Sequence, residues 1–255
     1  MVFCDYAKYY DIFYKTKDYK KECEFLNQLF KIHAKHHPRT ILDLGCGTGG
    51  HMVPLLQQGF QICGVDASEP MLHIAKTKLQ GLNLKAKLIK IRLDEFHFPQ
   101  KFDVVICMFS VFDYLTTDRE IIKTLRAVFA HMKRETLFIF DFWNAESVER
   151  HFAPRKKRSF RSGNMTIERH SSTTLDPRKR QAKVEYCCLV KEKGRPRETF
   201  RETHKLRYFT LDEVNKILTI AGLRVVGWYP FLNVKGKIRS NTWDVTVVAQ
   251  KNDGL

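Results

Sequence analysis

Two carboxylates flanking a run of glycines are the residues whose types and spacing most clearly suggest chemistry. In ILDLGCGTGGHM, residues 41–52, an apolar run ending in Asp43 and Leu44 breaks into Gly45, Gly47 and Gly49 and then resumes with helical character. Glycines at such a break let the backbone approach a ligand closely. A loop built to cradle a nucleoside triphosphate would end in Gly-Lys-Ser/Thr, whereas here Gly50 is followed by His51 and Met52. GCGTGG also departs from the GxGxxG spacing of dinucleotide sites. Asp43 can accept from an amino group, and Asp66, which ends the next apolar run QICGVD, can accept both hydroxyls of a ribose. Together they describe a site for a nucleoside.

These residues need strands to hold them at one edge of a sheet, and the chain supplies them. Between 39 and 144, the apolar runs TILDLGC, FQICGVD, KAKLIKI, FDVVICMFS and TLFIFDFW read as buried strands. GGHMVPLLQQG, SEPMLHIAKTKL and DREIIKTLRAVFAHMK between them read as helices. That alternation predicts a parallel sheet covered on both faces. Residues 1–38 read as a helical cap, with Phe25, Leu26, Leu29, Phe30 and Ile32 at helical spacing. From 145 to 209 the pattern changes to period two, which predicts an inserted antiparallel sheet whose turns fall at DPRKR and KGRPR. Residues 210–255 then give a helix opened by Thr210, the strand LRVVGWY and a last strand WDVTVVAQ.

Composition limits the partners. The chain has 255 residues and is 44% hydrophobic, enough for one large α/β unit with an insertion. Its 44 Lys and Arg against 28 Asp and Glu give a formal charge of +16, which favours an anionic partner. The seven cysteines show no CxxC or Cys/His ligand spacing, so reduced buried thiols are expected and no metal site. With neither a leader-like apolar segment nor a membrane-spanning run, the sequence reads as soluble and cytoplasmic.

ILDLGCGTGG followed by GVDASEPML resembles motifs I and II of the class I S-adenosylmethionine-dependent methyltransferases, and AGLRVVGWY with WDVTVVAQ is similar to their terminal strand hairpin. The resemblance implies a Rossmann-like α/β fold with a seven-stranded sheet and an inserted antiparallel β lid, with S-adenosylmethionine as cofactor. It implies that Asp43 and the Gly45-Cys46-Gly47 turn hold the methionine part, Asp66 the ribose, and Ala67 and Met71 the adenine edge. Met108 would face the sulfonium region, with Phe109 and Ser110 beside it. Many relatives carry Gly-Asp after the third strand, whereas KIRLDEF has Arg92 or Leu93 there, leaving Asp94 or the Leu93 backbone for the adenine amino group.

Absences narrow the acceptor. CMFSVFDYL lacks the Asn/Asp-Pro-Pro-aromatic pattern of adenine-N6 and glutamine methyltransferases. Cys107 lacks the setting of a cytosine-C5 nucleophile and reads as a packed core thiol. YYDIFYKTKDYKKE, CMFSVFDYL, FDFWNAESV and ETHKLRYFTLDEV resemble the small-molecule N- and O-methyltransferases, the amino-sugar N,N-dimethyltransferases and the glycine N-methyltransferase-like group above all. By that match Tyr14 approaches the methionine end of the cofactor, and Ser110, Tyr114, Trp143 and Arg207 line the acceptor pocket. Tyr14 and His204 are the catalytic candidates, a neutral imidazole being able to take the proton of an attacking ammonium. Tyr10, Phe13 and Tyr14 at helical spacing equally fit a core stripe, and His204 alternating with Leu206 equally fits a surface strand. The expected partner is a small, anionic or phosphate-bearing acceptor, bound by a monomer or homodimer. APRKKRSFR, read as a loop, and DPRKRQAK leave RNA as an alternative, beside a non-catalytic cofactor-binding protein.

Overall fold

A computed structural model describes residue 3 and residues 5–252. Helices α1 (Asp5–Phe13) and α2 (Tyr19–His33) lead into a first sheet. Its strands and helices follow as β1 (Thr40–Leu44), α3 (Met52–Gln57), β2 (Gln61–Asp66), α4 (Glu69–Gly81), β3 (Lys87–Lys90), β4 (Phe102–Cys107), α5 (Asp118–His131) and β5 (Met132–Trp143). Helix α6 (Ala145–His151) opens a second sheet of β6 (Arg155–Ser162), β7 (Met165–Asp176), β8 (Gln181–Glu192) and β9 (Glu198–Arg207). The chain then returns through α7 (Leu211–Ile220) to β10 (Leu223–Pro230) and β11 (Asp244–Lys251).

The first sheet has seven strands in the order β10-β11-β5-β4-β1-β2-β3. Strands β1 to β5 pair in parallel, and the β10-β11 hairpin closes the far edge, β11 lying antiparallel to β5. Apolar side chains pack on both faces, as continuous runs such as LFIF in β5 require. Local signals start the helices: Thr117 and Glu120 form a reciprocal capping box on α5, and Ser68 caps α4 by accepting from Met71 N. The second sheet is a four-stranded antiparallel meander, β6-β7-β8-β9, whose inner face packs on α1 through Tyr6, Tyr9 and Phe13.

Two local expectations are corrected. The basic run at 155–161, read as a loop, is the edge strand β6, paired residue by residue with β7; its charges are compatible with an edge, where they discourage further pairing. Ile32, placed on the apolar face of α2, is 53% exposed because the buried stripe runs through Cys23, Leu26, Leu29 and Phe30 instead. No helix among the described residues is long and apolar enough to cross a membrane.

Candidate active site

The glycine break does what its composition requires. Gly45, Gly47 and Gly49 have φ of +68°, +53° and +79°, a region costly for residues with a Cβ. Gly45 N and Cys46 N both donate to Val65 O at the end of β2, at 2.8 and 3.0 Å, which folds the loop across the carboxyl ends of β1 and β2. Asp66 accepts from Gly47 N (2.9 Å) and Ser68 N (2.8 Å), so the second carboxylate is fixed against the loop.

From this loop a cavity of about 730 Å³ runs under the second sheet. Gly45, Cys46, Gly47, Asp66, Ala67, Met71, Leu93, Asp94 and Met108 line its core side. Tyr6 and Tyr10 of α1 and Tyr14 in the turn after it form one wall, while Tyr114, Trp143, Tyr186 and His204 reach in toward the other end. Asp43, expected at the donor site, does not itself line the cavity: it lies near the end of β1, just before the loop, 3% exposed, with Oδ2 buried and without a hydrogen-bond partner among the described residues. Burial and the neighbouring Asp66 push its carboxyl up to about 8. A buried acceptor oxygen lacking a donor is a costly arrangement in the protein alone and fits the ammonium of an amino-acid-bearing nucleoside.

Just past β4 the backbone is strained, with Phe109 at φ +69° and Ser110 at φ +56°. Ser110 N donates to Asp141 Oδ1 at 2.9 Å, Tyr14 meets the Phe109 ring edge-on at 5.1 Å, and Lys17 Nζ sits 3.7 Å above it. The turn then carries Tyr114 to the lid, where its hydroxyl lies 2.6 Å from His204 Nδ1. His204 is 3% exposed, not a surface residue, and its Nε2 lies 3.1 Å from Glu202 Oε1. Trp143 packs on Trp243 at 5.5 Å.

Helix α1 fastens this arrangement from both sides. Its Asp11 accepts from Thr48 of the glycine loop (2.7 Å) and pairs with Lys78 of α4 (2.9 Å). Tyr9 donates to Glu198 on β9 (3.0 Å), and just before the helix Phe3 N donates to Glu202 (2.7 Å) while Phe3 O accepts from Ser68 (2.9 Å).

Arg207 does not line the cavity. Its guanidinium is held by Asp118, at 2.6 Å, and by Glu213. On β9 the buried positions are Phe200, Glu202, His204 and Leu206, so Arg207 falls on the opposite parity. Asp94 lines the cavity but accepts from Arg92 at 2.9 Å. The sequence reading missed Tyr6, Tyr186, Glu202 and Arg169. Period-two counting along MTIERHSST would have put Arg169 beside Ile167 on the buried face. Among the described residues no cluster of three or more His, Cys, Asp or Glu side chains is placed to hold a metal ion.

Comparison with known proteins agrees with this geometry. Residues 41–135 match the family described as a methyltransferase domain. The chain is 27% identical over 236 residues to the dTDP-3-amino-3,4,6-trideoxy-alpha-D-glucopyranose N,N-dimethyltransferase of Streptomyces venezuelae, covering 87% of this chain and 91% of that one. It is 26% identical over 224 residues to the dTDP-3-amino-3,6-dideoxy-alpha-D-glucopyranose N,N-dimethyltransferase of Streptomyces fradiae, covering 86% and 84%. The crystal structure of an S-adenosylmethionine-dependent methyltransferase from Clostridium acetobutylicum superposes with a TM-score of 0.84 at 21% identity, over 97% of this chain and 98% of that one. The seven-stranded sheet with its terminal hairpin defines the Rossmann-like class I methyltransferase fold. The matched segment carries the glycine loop, Asp66 and β4, and the protein is an S-adenosylmethionine-dependent methyltransferase.

Proposed function

We propose that the protein methylates the amine nitrogen of a small molecule held under the lid, an amino sugar or sugar nucleotide being the class favoured. The observation that carries this reading is the continuity of one aromatic-walled cavity from the glycine loop to the Tyr114–His204 pair. A concave, partly enclosed pocket with few convergent polar groups suits a small ligand. Two relatives whose names specify sugar N,N-dimethylation align over most of this chain.

S-adenosylmethionine supplies an electrophilic methyl group when bound. For the donor, we assign Asp43 and the Gly45-Cys46-Gly47 turn to its amino-acid end, Asp66 to the ribose, and Ala67, Met71, Leu93 and Asp94 to the adenine. Tyr14, Met108 and Phe109 close around the reacting region and exclude water. Desolvation and alignment then carry much of the rate, since the reaction removes positive charge from sulfur. Ser110, Tyr114 and Trp143 position the acceptor.

Proton removal falls to the lid. Burial drives the Tyr114 hydroxyl well above its ordinary range, so it stays protonated and donates to His204 Nδ1. An ammonium proton passes to Tyr114 Oη as the phenolic proton passes to His204 Nδ1, and Glu202, held as a carboxylate by His204 and the Phe3 amide, stabilises the imidazolium. S-adenosylhomocysteine production should be measured against amines, amino sugars, sugar nucleotides and bulk RNA. Turnover confined to RNA would overturn the reading.

A further inference from the structure

The lid wall of the cavity carries three cations, Lys156, Arg158 and Arg169, that form no ion pair among the described residues. Arg158 on β6 and Arg169 on β7 stand directly opposite one another in the antiparallel pair, and Lys156 lies two residues along the same face, opposite Ser171. All three line the cavity. Like charges directly opposite on one face of a sheet are destabilising. The nearest acid of β7, Glu168, is on the other face, taken up by Lys157 and Lys191 at 3.2 and 2.7 Å.

Arg169 is the more telling of the pair. It is 7% exposed, and among the described residues no carboxylate forms an ion pair with it. Its guanidinium donates to the Tyr6 hydroxyl and is boxed by the rings of Phe13, Phe160 and Tyr186 at 5.0, 5.0 and 5.1 Å. Those rings stabilise a cation but carry no net charge to neutralise it. A buried guanidinium without a counter-ion is costly in the protein alone. The carboxylates of the cavity, Asp66, Asp94, Glu120, Asp141 and Asp244, all come from the core side.

We propose that Lys156, Arg158 and Arg169 form a phosphate-binding subsite of the acceptor pocket, so that the acceptor carries a phosphate ester or diphosphate. This rests on the small-molecule reading above and narrows its substrate class. Three positive charges exceed what one carboxylate neutralises, and two planar guanidinium forks match pairs of phosphate oxygens bidentately. The Ser171 and Thr173 side chains line the same wall and add hydroxyl donors.

The full chain, saturated with S-adenosylhomocysteine, is titrated calorimetrically with inorganic pyrophosphate at fixed ionic strength, with malonate as a dicarboxylate control. Single-site pyrophosphate binding is expected, about tenfold tighter than malonate and weakened about tenfold by either Arg158→Gln or Arg169→Gln. Arg158 lies exposed on the edge strand, so its replacement spares the core, and S-adenosylhomocysteine affinity checks that each variant is folded. Lys179→Gln, in the exposed β7–β8 turn, should leave pyrophosphate binding unchanged. Equal affinity for malonate, an unchanged Kd in Arg158→Gln, or an equal loss in Lys179→Gln overturns the subsite. Methylation of neutral amino sugars with no pyrophosphate binding overturns the subsite and leaves the small-molecule reading standing. Pyrophosphate binding as expected, with turnover on RNA alone, supports the subsite and removes the small-molecule reading.

Discussion

Tyr114 and His204, 90 residues apart in the chain, meet at 2.6 Å where the turn after β4 touches the lid. One partner lies on the turn that follows a core strand and the other on the inserted sheet, so the contact exists only when the lid is seated. Burial keeps the phenol protonated, which assigns the accepting role to His204 Nδ1; Nε2 lies 3.1 Å from Glu202 Oε1 without hydrogen-bond geometry, close enough for the carboxylate to favour a charged ring.

Tyr114→Phe should therefore lower kcat by roughly 100-fold, the usual scale for losing a positioned proton acceptor, while donor affinity is kept. Glu202→Gln should cost less and move the acid limb of the pH–rate profile. Steady-state kinetics across pH on the best amine from the panel is the check; a Tyr114→Phe enzyme with full kcat would remove Tyr114 from proton transfer.

Asp43 links pH to both stability and donor binding. Its carboxyl titrates near 8 in the fold against an ordinary 3.8, so between these values the folded chain holds a proton that the unfolded chain has lost. Stability of the ligand-free protein should fall as pH rises through that window. An ammonium beside Asp43 favours the carboxylate, so S-adenosylhomocysteine affinity should rise over the same range. Asp43→Asn should weaken the affinity about tenfold and flatten its pH dependence. The melting slope should be reduced but not abolished, because burial also pushes Asp141 up to about 8. Thermal melts and calorimetry at several pH values test each part.

The glycines of the loop are unequal. A Cβ on Gly45 would stand 2.4 and 2.8 Å from the two methyl carbons of Val111, whereas one on Gly47 meets nothing within 4 Å. Gly47→Ala should cost only the left-handed backbone penalty, about 1–2 kcal/mol. Gly45→Ala adds a displacement of Val111, next to Ser110, and should lower Tm further and abolish measurable donor binding. Equal melting temperatures for the two variants would show that Val111 yields freely.

Arg207 gives a negative control. Arg207→Gln removes charge-assisted bonds to Asp118 and Glu213 and should destabilise the protein by about 1–3 kcal/mol, leaving the acceptor KM unchanged. A raised KM at full stability would return Arg207 to the pocket.

The core was legible because its signals are local. Apolar runs of strand length, helix caps such as Ser68 and Thr117, and three glycines after Asp43 each state their own geometry. The acceptor side was less so because its meaning lies in cross-strand parity. His204, a catalytic candidate, and Arg207, a pocket candidate, are three residues apart, and alternation sends them to different faces. Arg158 and Arg169 are separate in sequence and become neighbours only through the register of β6 with β7. The α1 aromatics defeat any choice between core and pocket, since Tyr6 is 1% exposed and still lines the cavity.

The fastening of α1 to both the glycine loop and the lid has a consequence for traffic through the enzyme. Asp11 grips the donor's side while Tyr9 and, ahead of the helix, Phe3 grip the acceptor's roof, so the nine-residue helix and Phe3 together serve as a shared latch. A movement large enough to release spent donor also loosens the roof over the methylated product. The two departures are then one event, and hydrogen exchange in α1 should slow when either ligand is present and most when both are. For an acceptor that takes two methyl groups, each refill of the donor site becomes an opportunity for escape, and the strength of the latch decides whether the second transfer happens before release.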